Sequence, residues 1–176
     1  THTGKFINGS IIDFGYCATE NDVFQYQSAE YDVVRFDELT HFTEFQYIYL
    51  ISRVRGANGF PKQIKSSTNP GGVGHSWVKA RFIDSGSPGC SFMGKDGMKR
   101  IFIPSLLDDN SFLRNGDPDY KNRLLALPER EKKALLYGDW NIFEGQYFSE
   151  FSREKHVCEP FEIPDGWRKY RTIDYG

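Results

Sequence analysis

An α/β fold, a parallel sheet with flanking helices, is what this sequence predicts. Three stretches predict it: the apolar run "YDVVRF", the helical pattern that follows Thr43, and "KQIKSSTNPGG". Strand, helix and strand in that order give a sheet with right-handed crossovers, and ligands of such sheets gather outside the carboxyl ends of the strands. Asp37, Glu38, Thr68 and Asn69 all fall there.

Taken in order, "KFINGSIIDFG" sets apolar runs on both sides of Asn8-Gly9, the dipeptide of a type I′ turn with positive φ at both central residues, and predicts a β-hairpin. "YDVVRF" has the β-branched, nearly continuous apolarity of a central parallel strand covered on both faces, with Arg35 as its one interruption. Thr43 caps a helix with Gln46 at the capping-box position. Phe45, Ile48, Tyr49 and Ser52 fall along one side of it, and it runs to about Arg55. "GANGFP" is turn chemistry, and "KQIKSSTNPGG" is a short strand emptying into a loop that Pro70, Gly71 and Gly72 keep irregular. Further on, "RIFIPSLL" reads as a strand, and "DPDYKNRLLAL" as a helix with Asp117 as cap and Pro118 at its first position. Pro128 opens another helix that ends on Gly138, giving a helical hairpin packed against the sheet. From "DWNIFEGQYFSEF" to "EIPDGW" weak periodicity suggests a connector, and a new domain is expected near Trp167, with "RTIDYG" a strand just beginning. The chain reads as a fragment of something longer.

Composition excludes several classes. With 176 residues, 39% hydrophobic and 26% charged, the chain is a globular domain with something attached, not a disordered tail. A formal net charge of -2 lacks the strongly basic signature of a nucleic-acid coat. Cys17, Cys90 and Cys158 are odd in number and far apart, which argues against a disulfide framework or structural zinc and for a reducing compartment. No apolar stretch approaches the roughly 20 residues that span a bilayer, and no leader opens the chain, so a soluble protein without a membrane partner is expected.

Paired acids at the end of an apolar strand have two explanations. Asp37 and Glu38 can be the polar start of the following helix, where acids meet the helix dipole favourably. They can also be a Walker B pair, in which the strand holds an Asp near Mg²⁺ and the next Glu deprotonates the attacking water. "SSTNPGG" tilts the balance: Thr68 and Asn69 end a neighbouring strand, where hydroxyl and amide groups can bond a γ-phosphate or a catalytic water and move the loop behind them.

The succession "NGSIIDFGY", "YDVVRFDELTHF", "SSTNPGG", "LLYGDWNIFEGQYF" and "RTIDYG" resembles the large terminase subunit of tailed bacteriophages over nearly the whole chain. The resemblance implies a P-loop NTPase-type (ASCE) sheet with flanking helices over 1–138, a connector over 139–166, and the first strand of an RNase H-like nuclease over 167–176. It implies an ATP-driven motor and endonuclease that cuts and packages double-stranded viral DNA, with ATP and Mg²⁺ as cofactors. Asp37 would be the Walker B aspartate and metal ligand, Glu38 the catalytic glutamate, Thr68 with Asn69 the coupling motif at the nucleotide, and Asp174 the first nuclease carboxylate and metal ligand. Its partners would be double-stranded DNA, the portal protein, the small terminase subunit and further copies in a ring. Its place would be the procapsid portal vertex in the cytoplasm of the infected bacterium.

One feature departs from the family. No G-x-x-x-x-G-K-[ST] stretch occurs, and "NPGGVGHSW" lacks the lysine that would reach the phosphates, so the P-loop is expected before Thr1 and the other nuclease carboxylates beyond Gly176. His41 and His75 read as solvated loop histidines, Arg53 and Arg55 as cations at a helix end, and Trp77 and Phe82 as core. Lys62, Lys79, Lys65 and Arg81 surround the coupling loop, either as a DNA-facing surface or as ordinary solvated charge. Two other classes fit the residues. A helicase-like ATPase also has a D-E pair but would need a second helicase domain, and a non-catalytic DNA-binding or capsid-associated module would use its acids as caps only.

Overall fold

The N-terminal hairpin forms where Asn8-Gly9 predicts it, with β1 (His2–Lys5) antiparallel to β2 (Ile11–Phe14). The computed structural model describes residues 2–142 and 156–172. The turn is not type I′. Gly9 N–H donates to Phe6 O at 3.0 Å and Phe6 N–H to Ser10 O at 2.9 Å, and of the Asn8-Gly9 pair only Gly9 has positive φ, at 84°. This is the three-residue loop that ends on a left-handed residue. The Asn8 side chain accepts from Ser10 N–H at 3.1 Å, an Asx turn that needs no left-handed asparagine.

The strand–helix–strand unit is present. β3 (Val33–Phe36) lies parallel to β4 (Gln63–Ser66), in register from Val33 opposite Gln63 to Phe36 opposite Ser66, with α1 (Glu44–Ile51) between them in sequence. The capping box is made as expected: Gln46 N–H donates to Thr43 Oγ1 at 3.2 Å and Thr43 N–H to Gln46 Oε1 at 2.8 Å. Three expectations fail here. α1 stops at Ile51 because the chain turns back beside β3, where Tyr31 N–H donates to Arg53 O at 3.0 Å and Arg55 N–H to Tyr31 O at 3.2 Å. The buried side of α1 is Gln46, Tyr47 and Leu50, whereas Phe45 and Ile48 are 46% and 42% exposed. β3 is covered on one face only, with Phe36 buried and Val33 and Arg35 exposed. Its sheet has two strands among the described residues, so β3 is not the central strand of a larger sheet there.

After β4 the chain forms a helical turn that the sequence reading left as loop. α2 (His75–Val78) runs into a π-turn over Lys79–Ile83. "RIFIPSLL" contributes β6 (Lys99–Ile101), antiparallel to β5 (Ser91–Met93). α3 (Ser111–Gly116), capped by Asn110, was not anticipated. α4 (Tyr120–Leu125) begins a turn later than Asp117 suggested, because Pro118 and Asp119 form the turn before it. α5 (Glu129–Leu135) opens after Pro128, and Gly138 beyond it has φ 59° as expected.

The described strands therefore make three separate two-stranded sheets in a small mixed α/β protein. Its core gathers Val23, Phe36, Leu39, Tyr47, Leu50, Val78 and Trp140. Phe36 meets Tyr47 at 5.1 Å and Phe42 edge-on at 5.3 Å, and Tyr47 meets Trp77 at 5.0 Å. Burying each such side chain contributes about 1.5–3 kcal/mol, and together they fix the ends of β3 and β4 beneath α1. Thr1–Glu144 is one compact unit and Gly145–Gly176 a second. In the second, Phe161 meets Trp167 edge-on at 6.1 Å, and Trp167 N–H donates to Pro164 O at 3.0 Å. The expected nuclease strand residues 173–176, Asp174 included, and residues 143–155 of the expected connector lie outside the described residues.

Candidate functional site

The ladder between β3 and β4 continues past the strands. Ser67 N–H donates to Phe36 O and Leu39 N–H to Ser67 O, both at 3.0 Å, so Asp37 and Glu38 are bracketed against Ser67, Thr68 and Asn69. The convergence predicted from sequence is therefore built. Neither acid caps a helix with its side chain. Glu38 precedes a single 3-10 turn, Leu39–His41, without a side-chain bond to it, and Asp37 Oδ1 accepts instead from Ser67 Oγ at 2.7 Å. The helix-start explanation of the pair thus has no hydrogen bond behind it.

Glu38 has φ 51° and ψ 56°, one of two non-glycine residues with positive φ among those described. That left-handed placement costs about 1–2 kcal/mol, and strain of this kind persists where the surroundings over-determine it, often at working sites. Here the two bonds through Phe36 O and Leu39 N hold the backbone on either side. The Glu38 carboxylate has no hydrogen-bond or ionic partner among the described residues.

Thr68 and Asn69 divide in direction. Thr68 Oγ1 is taken up internally: it accepts from Thr40 N–H at 3.0 Å and lies 2.9 Å from Thr40 Oγ1. The Asn69 carbonyl accepts from Thr40 Oγ1 at 3.0 Å, while its exposed carboxamide has no partner among the described residues. Thr40 itself is 2% exposed. Sequence reasoning passed over it, and also over Ser67; their only signal was a hydroxyl beside each flagged pair.

The glycine loop is turned inward. Gly71 N–H donates to His75 Nδ1 at 3.0 Å, and Gly74 N–H to Thr40 O at 2.7 Å. Gly72, at φ 78°, passes so near that a Cβ there would lie 2.6 Å from Thr40 O. These amides are spent on the protein, which agrees with the expectation that "NPGGVGHSW" cannot cradle phosphate. His75 corrects an expectation: it is buried, not solvated, and stacks on Trp140 at 5.4 Å and 22°. His41 is exposed, as expected. Trp140 belongs to the "GDWNIF" stretch and was not singled out as a residue.

The cations around the loop are mostly paired. Lys62 meets Asp32 at 2.8 Å, Lys79 meets Asp84 at 2.7 Å, and Arg81 meets Asp96 at 2.6 Å while lying over the Tyr47 ring. Lys65, on β4, is exposed. Arg53 lies over the Tyr49 ring and Arg55 sits 3.6 Å from Glu30, local roles at the helix end. The Arg100 guanidinium, with Arg81, holds the Asp96 carboxyl well below the usual carboxylate range. Burial pushes the Tyr47 hydroxyl and the Cys17 thiol up.

Asp37 is the group on this side of the site that could take a hard cation. Mg²⁺ takes hard oxygens from one or two carboxylates plus phosphates, and Asp37 offers an exposed carboxylate with one oxygen fixed by Ser67 and the other unbonded among the described residues. No cluster of three acidic, His or Cys groups exists among the described residues, which a dedicated all-protein cage would require.

The family described as "Terminase large subunit, T4likevirus-type, N-terminal" matches residues 3–155. The chain belongs to that family. No curated protein and no solved structure matches it. Membership gives this terminase chain a role in packaging phage DNA, with DNA and the packaging apparatus as its partners in general terms. No helix among the described residues of the terminase chain is long and apolar enough to cross a membrane.

Proposed function

We propose that the ends of β3 and β4 are the hydrolysing half of an ATP-driven DNA-packaging motor. The observation that carries this reading is the pairing of a parallel strand ending in Asp37-Glu38 with one ending in Ser67-Thr68-Asn69, with the Glu38 carboxylate left unpartnered on a strained backbone. Asp37, steadied by Ser67, would hold the metal through its remaining oxygen. Glu38 takes a proton from the attacking water, and Thr68 and Asn69 bond the terminal phosphate and report its loss to the glycine loop. Bound Mg²⁺–ATP supplies the phosphoryl group and the positive charge that stabilises its transfer.

In this reading residues 1–138 belong to the ATPase domain, 139–166 to a connector, and 167–176 to the start of an RNase H-like nuclease with Asp174 as its first metal-binding carboxylate. The working assembly is a ring of large subunits at the portal protein of a procapsid in the infected bacterium's cytoplasm, with double-stranded DNA and the small terminase subunit as its other partners. In the complete large subunit, Glu38→Gln keeps nucleotide binding, measured with a fluorescent ATP analogue, and lowers steady-state hydrolysis by roughly 10² to 10⁴, the span of a lost general base. Undiminished hydrolysis in that variant would sink the reading.

A further inference from the structure

We propose that Thr40 is a positioning residue that makes the Thr68 hydroxyl a two-position switch, an inference that rests on the strand ends being the hydrolysis site. Thr40 is buried and Thr68 half-buried, so of the two only Thr68 is placed to reach a ligand.

The hydrogen-bond arithmetic is unbalanced in a useful way. Oxygen–oxygen contacts link Thr40 Oγ1 to Thr68 Oγ1 at 2.9 Å, Thr40 Oγ1 to Asn69 O at 3.0 Å, and Thr68 Oγ1 to Asn69 O at 3.1 Å. Each hydroxyl owns one proton, so the pair cannot make all of these bonds at once. In one arrangement Thr68 donates to the Asn69 carbonyl and Thr40 donates to Thr68. In the other Thr40 donates to the Asn69 carbonyl, and the Thr68 proton is free to move: it shares the second lone pair of that carbonyl, rests on Thr40 Oγ1 or turns outward to a phosphate oxygen.

The second arrangement leaves nothing stranded. Thr40 still holds the Asn69 carbonyl, and Thr40 N–H still donates to Thr68 Oγ1 at 3.0 Å, which fixes that oxygen while its proton swings. Remove the Thr40 hydroxyl and Thr68 must either stay on Asn69 or abandon a carbonyl. The bond from Thr40 is part-buried while Asn69 itself is exposed, so an abandoned carbonyl has to exchange this bond for one to water. The swing is therefore cheap only because Thr40 is present. The Thr40 carbonyl accepts from Gly74 N–H at 2.7 Å, so the same residue ties the switch to the glycine loop.

Two variants in the complete large subunit test this. Thr40→Val keeps the shape and loses the hydroxyl, while Thr40→Ser restores it. Without nucleotide, amide hydrogen exchange over residues 71–74 should quicken by about tenfold in Thr40→Val, as local opening becomes easier, and return toward wild type in Thr40→Ser. With Mg²⁺–ATP, kcat should fall by about tenfold or more in Thr40→Val with KM little changed, the mark of an interaction used in the transition state, and Thr40→Ser should recover it. Thr40→Val with unaltered kcat, even if exchange quickens, overturns the proposal, because Thr40 is then only a structural clamp. Thr40→Ser as impaired as Thr40→Val overturns it too. Glu38→Gln run alongside separates the two failures: if it abolishes hydrolysis while Thr40→Val does not, the switch alone falls, and if it hydrolyses normally, the site and the switch fall together.

Discussion

Gly72→Ala places two costs at one point of the candidate site. At φ 78° an alanine sits in the left-handed region, which costs about 1–2 kcal/mol. Its Cβ would also lie 2.6 Å from Thr40 O and 3.1 Å from the carbonyl carbon. Those atoms are backbone, pinned by the 2.7 Å bond from Gly74 N–H, so relief means breaking that bond for a further ~0.5–1.5 kcal/mol. The sum is about 1.5–3.5 kcal/mol. Gly9→Ala is the control, since φ there is 84° and a Cβ would meet nothing within 4 Å, leaving the first cost alone. In a chain of this size each kcal/mol moves Tm by ~2–4 °C. Gly72→Ala should therefore melt roughly 3–14 °C below wild type, with a lower urea midpoint than Gly9→Ala at unchanged slope. Thermal circular dichroism and urea titration followed by tryptophan fluorescence measure both. Equal loss in the two variants would refute the close approach of the glycine loop to Thr40, and with it the coupling of that loop to the strand ends.

Two further outcomes follow from single residues. Because Glu38 is left-handed at φ 51°, Glu38→Gly should be more stable than Glu38→Ala by about 1 kcal/mol, the reverse of the order at ordinary helical positions, as read by urea unfolding. Asp96 has a folded pKa depressed chiefly by its bond from Arg100, so its stabilisation is present above the unfolded aspartate value of ~3.9. It fades as pH falls from there through the folded value. Asp96→Asn should then show a shallower loss of stability across that acid window than wild type, and an identical slope would remove Asp96 from the list of acid-sensitive groups.

What the sequence made legible was local and periodic. The Thr43–Gln46 capping box and the left-handed Gly138 are each decided by a few neighbouring residues, while the parallel pairing of "VVRF" with "QIKS" follows from the strand–helix–strand order, and each is present. The failures come from contacts distant in the chain. α1 ends early because Arg53–Arg55 pairs with Tyr31, and nothing near Arg55 announces it. His75 looked solvated because its loop is polar and glycine-rich, yet Trp140, far along the chain, covers it. Thr40 and Ser67 carry no pattern of their own, since an isolated hydroxyl gains meaning only when the strand opposite brings its acceptor within reach.

The division of labour at the strand ends follows from the same bonds. Ser67 is committed to Asp37, whereas the Thr68 oxygen is held by the Thr40 backbone N–H with its own proton left to move, so the first hydroxyl places a group and the second is itself placed. Glu38 and the Asn69 carboxamide are the polar side chains left unpartnered there among the described residues. A fold selected for stability alone would not keep a left-handed glutamate where glycine is less strained. The strain is intelligible if the carboxylate is what that position is for, because the backbone twist sets its direction while the flanking ladder bonds at Phe36 and Leu39 keep the twist from relaxing. Rigid supports around a small unpartnered acid–amide pair are the arrangement that positioning a water against a phosphate requires.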